Sequence, residues 1–383
     1  MAKNIVILLD GTSNEIKTNR SNILRLYGTL AKGPGQLVYY DPGVGTFGAD
    51  NAWSRSLRKG AEVWGMATGW GMDANIKEAY RFLAQHYARD AEGNRDRIHI
   101  FGFSRGAYAA RVLAGFVHAF GLIAPANLNL LDYAYRAYKQ ISERRGDDSF
   151  AEIRLFERIL RPDRAPIRLL GLFDTVASVI ESGRFGPRLR KHAFTDTNPS
   201  VEAVRHAVAI DERRTMYRAE LWPEGRSYRA NPFGAEIAEQ DVREVWFNGV
   251  HGDIGGGYPE AEAALAKLPL KWMIDETKAM GLEFKTRSVN ELVLGQRTGG
   301  PYVAPDPQAA RHESLCGAWH LLEYLPRRKT AGSQRPDLGG WTLPQGERRP
   351  IPEGAWLHGA VIARMEQTGA RPANLPKSWR VAP

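Results

Sequence analysis

The sequence predicts an α/β fold, a mostly parallel central sheet with helices on both faces. Two observations carry this. Short apolar runs that stop at Asp, Gly or Pro recur along the chain, and stretches of helical length with apolar spacing fall between them. A third observation limits the architecture. Residues 284–355 are rich in Pro, Gly and Arg with weak periodicity, which reads as an irregular insertion or cap on a single domain covering 1–383, not as a second core. There is no internal repeat and no low-complexity tract.

The elements follow in order. Residues 4–9 (Asn-Ile-Val-Ile-Leu-Leu) read as a buried strand ended by Asp-Gly-Thr-Ser-Asn. Residues 36–41 (Gln-Leu-Val-Tyr-Tyr-Asp) read as a second, closed by Pro-Gly-Val-Gly. Residues 51–71 are rich in Gly and Trp, with Trp53, Trp64 and Trp70, and read as a loop or flap that walls a pocket. Residues 73–90 place Ile76, Ala79, Tyr80, Leu83 and Tyr87 on one helical face. A strand over 97–103 and an apolar helix over 107–120 come next. Strands are expected at 166–173 and 242–250, with helices over stretches such as 200–210 and 260–280.

Bulk properties bound the function classes. The 383 residues are 43% hydrophobic and 25% charged, enough for a sizeable core. The single cysteine, Cys316, rules out a disulfide framework. The first apolar run is too short for a signal peptide, and no stretch approaches the ~18 apolar residues of a membrane span. A soluble, cytoplasmic chain is expected, with export by a route needing no signal peptide left open. The formal charge of +9 favours anionic partners such as acidic lipid surfaces. The arginines are scattered and no basic run is interleaved with aromatics, so nucleic acid is not expected as a partner.

The stretch Gly102-Phe103-Ser104-Arg105-Gly106 fits G-x-S-x-G. The five residues alone are common. Their setting, an apolar strand before and an apolar helix after, is what a nucleophile elbow requires. The glycines let strand and helix approach without a Cβ clash, and the hydroxyl then sits beside a helix N-terminus that favours developing negative charge. A structural turn is the plainer alternative. The backbone N–H of Arg105 is one candidate oxyanion donor. The N–H of Gly11 or Thr12, after the first strand, is the other; that turn equally suits a helix cap at Thr12 or Ser13.

A serine nucleophile needs a base, and the base an orienting acid. Of nine histidines, His86, His99, His118, His192 and His320 read as structural or peripheral, and His206 as lying on a helix face. His251, His312 and His358 remain. His251 opens a glycine-dense turn after a strand, where catalytic groups sit in an open α/β sheet. His358, near the C-terminus, is the second choice. For the acid, Asp174 ends an apolar strand, where a buried carboxylate must be paired. Asp253 competes, since residues 251 and 253 of an extended strand point the same way. Ser104, Asp174 and His251 keep the chain order Ser…Asp…His. No cofactor is implied.

Several stretches together resemble the α/β-hydrolase family typified by the catalytic domains of type VI secretion phospholipase effectors. They are "LLDGTSNE" at the start, "YYDPGVGT" at 39–46, "GFSRGAYAARVLAG" at 102–115, "GLFDTVAS" at 171–178, "HAVAIDERR" at 206–214, "VWFNGVHGDIGGGY" at 245–258 and "HGAVIARM" at 358–365. The resemblance implies a Ser–Asp–His hydrolase of ester bonds, in some members those of glycerophospholipids, and supports Ser104, Asp174 and His251. It also implies a lipid substrate and a secretion or immunity partner. Two other classes stand beside this esterase or lipase reading. One is a metal-assisted hydrolase using Asp10, Asp174, His251 and Asp253, although no compact ligand spacing supports it. The other is a non-catalytic module that retains the fold.

Overall fold

The computed structural model describes residues 2–11, 19–43, 71–141, 148–176, 180–183, 186–189, 192–230, 236–329 and 332–382. Thr12, Ser13 and the Trp-rich stretch 53–70 lie outside them.

Eight parallel strands form one sheet: β1 (Asn4–Leu9), β2 (Gln36–Asp41), β3 (Arg97–Phe103), β4 (Ile167–Phe173), β5 (Val201–Ala209), β6 (Asp241–Phe247), β7 (Ala355–His358) and β8 (Trp379–Ala382). Their spatial order is β2-β1-β3-β4-β5-β6-β7-β8. The order reverses between β1 and β3, and in open α/β sheets that reversal opens a crevice beyond the carboxyl ends of the strands. Ser104 and Asp10 follow the two strands that border it.

The pleat explains the layering. In β1, Ile5, Ile7 and Leu9 enter one apolar cluster with helices α2 (Met72–His86), α3 (Arg105–Phe120) and α4 (Leu131–Ile141). Val6 and Leu8 enter the cluster on the opposite face, under α1 (Asn22–Thr29) and α7 (Lys267–Ala279). With both faces covered, parallel strands read as continuous apolar runs, and each fully buried Leu or Ile contributes about 1.5–3 kcal/mol. Helix α3 is buried nearly all round and stands behind the crevice. Helix α5 (Asp148–Leu160) packs beside α4, and α8 (Gly359–Thr368) covers the β7–β8 edge.

The expectation of a helix over 200–210 is corrected: this stretch is β5, central in the sheet. Val201, Val204 and Val208 stand at helix-like spacing, but the run is apolar because both its faces are covered. Its polar members are paired in place. Arg205 meets Glu276 and Asp241, each at 2.6 Å. His206, expected on a helix face, lies buried in this strand with Nδ1 2.8 Å from Glu244. Strands β7 and β8, short and near the end of the chain, are additions to the sequence reading. The segment 284–355 is largely irregular, with short helical turns and a two-residue pairing of Arg327–Arg328 with Trp341–Thr342. Among its described residues no strand of the central sheet occurs before Ala355, where β7 begins.

Candidate active site

Ser104 is the N-cap of α3 and holds φ 58°, ψ −122°, a left-handed conformation that costs a non-glycine residue of order 1–3 kcal/mol. The surroundings impose it. The Ser104 N–H donates to Phe173 O at 3.0 Å, extending the β3–β4 ladder by one step, while Ser104 O accepts from Tyr108 N at 3.2 Å to begin the helix. The glycines at either side are required by contact. A Cβ on Gly102 would sit 2.3 Å from Gly106 O, and one on Gly106 2.2 Å from Leu9 O.

Two strand ends and the start of a short helix deliver side chains to one point. Ser104 Oγ lies 2.8 Å from His251 Nε2, and His251 Nδ1 lies 2.5 Å from Asp174 Oδ2. Asp174 follows β4 directly, its own N–H bonded to Ala207 O at 2.8 Å. It too has a positive φ, 41°, which turns the carboxylate across the sheet end. His251 opens the short helix α6 (His251–Gly255) after the Asn248-Gly249 turn. The imidazole is wedged between aromatic rings, Phe103 at 4.7 Å and Tyr217 at 4.8 Å between centroids. Gly255 must be glycine for this, since a Cβ there would overlap the Phe103 ring at 1.8 Å.

Electrostatics follow from burial and pairing. Burial pushes the Asp174 carboxyl up, but Arg349 and His251 outweigh it and hold the group well below the usual carboxylate range. Burial also lowers the His251 imidazole below its ordinary value, and the Asp174 contact only partly offsets that. The imidazole is therefore uncharged at neutral pH, the form in which it can accept a proton.

Sequence reasoning missed the groups that support this trio. Arg349, from the irregular segment, donates to Asp174 Oδ1 at 2.6 Å and Oδ2 at 3.0 Å. Glu212, in the loop after β5, accepts from the His251 N–H at 3.2 Å and from Ser314 Oγ at 2.9 Å, and is paired with Arg214 at 2.9 Å. Burial raises the Glu212 carboxyl, yet Arg214, Arg349 and His251 bring it down to about 2. The Arg214 guanidinium stacks 3.7 Å above the Tyr217 ring. The only sequence signal was the stretch "HAVAIDERR", which carried a likeness but no role.

The second-choice residues lie elsewhere. Asp253 does not face His251 along a strand, because 251–255 is helical. It folds back to accept Val250 N at 2.9 Å and binds His312 Nδ1 at 2.6 Å. His358 caps α8, accepting Ala360 N at 3.2 Å, with its ring stacked on Phe247. Gly11 N donates to Asp10 Oδ1 at 2.7 Å, and Asp10 also accepts from Tyr40 and Ser21. Thr12, the alternative donor, is outside the described residues. Among the described residues no three His, Cys, Asp or Glu side chains converge as metal ligands.

A parallel sheet with a serine on a strand–turn–helix elbow, faced by an aspartate from the end of β4 and a histidine from the short helix after β6, defines an α/β-hydrolase-like fold. Residues 3–276 match the catalytic domain of the type VI secretion system phospholipase effector Tle1-like family, and the chain belongs to that family. Membership supports a lipase or phospholipase type of hydrolase function. The chain is also similar to an uncharacterized protein, YEL023C, of Saccharomyces cerevisiae: 33% identical over 234 residues, 56% of this chain and 32% of that protein. It thus spans about a third of that relative's length. Among solved structures, an uncharacterized protein from Pseudomonas aeruginosa aligns over 74% of this chain and 46% of its own, at 21% identity and TM-score 0.38. The Tle1 effector bound to the VgrG spike aligns over 69% of this chain and 53% of its own, at 20% identity and TM-score 0.33.

Proposed function

We propose that this chain is a serine hydrolase of carboxylic esters in lipids, glycerophospholipids first, working through Ser104, His251 and Asp174. The reading rests on one observation, the unbroken relay from Ser104 Oγ through both imidazole nitrogens to Asp174. Ser104 Oγ attacks the ester carbonyl carbon as its proton passes to His251 Nε2. Asp174 holds the Nδ1 proton and so fixes the tautomer. The tetrahedral oxyanion lies at the N-terminus of α3, with the Arg105 N–H as donor. The intermediate collapses, the alkoxide leaves with the proton from His251, and water then attacks the acyl-serine by the same route in reverse. The Gly11 N–H is engaged by Asp10 and serves the oxyanion only if that bond opens.

The test is labelling with a fluorophosphonate probe and mapping of the modified peptide, followed by release of fatty acid from phosphatidylglycerol and phosphatidylethanolamine. Modification confined to Ser104, and loss of both labelling and fatty-acid release in Ser104→Ala by a factor of about 10³ or more, is the expected result. Fatty-acid release that survives Ser104→Ala removes the reading. Folded protein that takes no label favours a binding module.

The same reading places the lipid surface against the irregular segment. Leu321, Tyr324, Leu325, Leu338 and Trp341 are exposed there, beside the cations Arg328 and Lys329. The segment reaches the site through Trp319, whose ring meets Tyr217 at 5.5 Å. Apolar side chains flanked by cations suit an anionic bilayer. The chain is expected to float with phosphatidylglycerol vesicles and not with phosphatidylcholine alone. Leu338→Ser with Trp341→Ser should lower that binding about tenfold, and unchanged flotation would locate the contact elsewhere.

A further inference from the structure

The irregular segment before β7 supplies a buried guanidinium to the acid of the trio. Both Nη nitrogens of Arg349 engage Asp174, Nη1 on Oδ1 at 2.6 Å and Nη2 on Oδ2 at 3.0 Å. Arg349 is anchored on the other side by Ala209 O at 3.1 Å and by Tyr217 O. Both side chains are buried, Arg349 at 5% exposure and Asp174 at 0%. A carboxylate that only orients a histidine needs one oxygen for Nδ1 and one backbone donor, and Ala209 N already supplies the second at 2.9 Å. A two-point guanidinium grip is an addition to that minimum, and it comes from outside the sheet.

We propose that Arg349 is a positioning residue: its fork fixes the plane of the Asp174 carboxylate toward His251 and makes assembly of the base depend on the docking of the 284–355 segment. The proposal rests on the Ser104–His251–Asp174 reading above. Its chemistry is that of a planar, permanently charged fork matched to a carboxylate. The charge has a second effect. Among the described residues, the groups that face His251 and Asp174 are Ser104 at the N-cap of α3, His206 from β5, Glu212, Arg214 and Tyr217 from the loop after β5, and Arg349. Withdrawing the Arg349 cation leaves Asp174 a stronger partner for imidazolium, so the base gains basicity.

The rate of Ser104 phosphonylation by a fluorophosphonate, followed from pH 4.5 to 9, reads both effects without any assumption about the lipid. Wild type should show an acid limb below pH 6.5, in line with the lowered imidazole. Arg349→Met should lower the plateau about tenfold or more and move the limb up by about 1 pH unit. Arg349→Lys keeps charge and loses the fork, so it should lower the plateau while leaving the limb near its wild-type position. A plain loss of folded protein would reduce the plateau with no movement of the limb, and an unmoved limb in folded Arg349→Met overturns the proposal. Where Arg349→Met yields no folded protein, a wild-type plateau in Arg349→Lys overturns it instead. Labelling that persists in Ser104→Ala would mean that the trio reading has failed, an outcome distinct from failure of the clamp.

Discussion

Ser104 at φ 58° and Asp174 at φ 41° hold a backbone conformation that L-residues rarely adopt, and both follow the last residue of a strand in the middle of the sheet. Neither strain survives without support. At Ser104 the support is close contact between β1 and α3, which only glycine at 106 permits. A methyl there would press on Leu9 O and on Asp10 O at 2.4 Å, and both are backbone atoms that cannot rotate away. Gly106→Ala is therefore expected to cost about 1–3 kcal/mol of stability, the usual range for overpacking. It should also reduce fluorophosphonate labelling of the remaining folded protein about tenfold or more, because the helix N-terminus moves relative to Oγ. Thermal denaturation alongside labelling checks both. Folded, fully labelled Gly106→Ala would show that the elbow does not rely on this contact.

At the scale of elements, legibility followed how local the determining forces are. Strands β1 to β4 and β6 were readable because apolar runs ended at Asp, Gly or Ser within a few residues, and the same boundaries exposed Ser104 and Asp174. Strand β5 was not, since a strand buried on both faces loses its alternation and Val201, Val204 and Val208 mimic a helical stripe. Strand β7 is four residues long and gains its place only from β6 and β8. His251 was found from the glycine turn around it, although it heads a helix and does not end a strand. Arg349 and Glu212 carry no local signal. Their partners lie 175 residues away at Asp174 and 39 residues away at His251, and a charged side chain on a Pro-rich segment looks like any solvated arginine until the fold buries it.

Over the whole molecule, the same burial that tunes His251 acts on imidazoles far from the site. Burial lowers His99 to about 3, and His118 and His358 to about 4. An unfolded histidine takes up its proton near pH 6.5, whereas these remain neutral in the fold until the pH is far lower. Between those values the unfolded chain binds more protons, so acid favours unfolding, by up to about 1.4 kcal/mol per pH unit for each group. The depressed carboxylates act in a later window. The stability held by Glu212 is present above its unfolded value near ~4.3 and is lost as pH falls toward about 2. Melting temperature should therefore begin to fall below about pH 6.5, well before carboxylates titrate. His99 sits fully buried in β3, with Nδ1 3.2 Å from Arg97 O and Nε2 without a partner among the described residues, so His99→Leu removes one acid-sensitive group at the cost of that single hydrogen bond. Its melting temperature should decline more gently from pH 6.5 to 4.5 than that of wild type. Equal slopes for the two proteins, or a wild-type melting temperature that stays level down to pH 4, would show that the buried imidazoles do not set the acid limit of the fold.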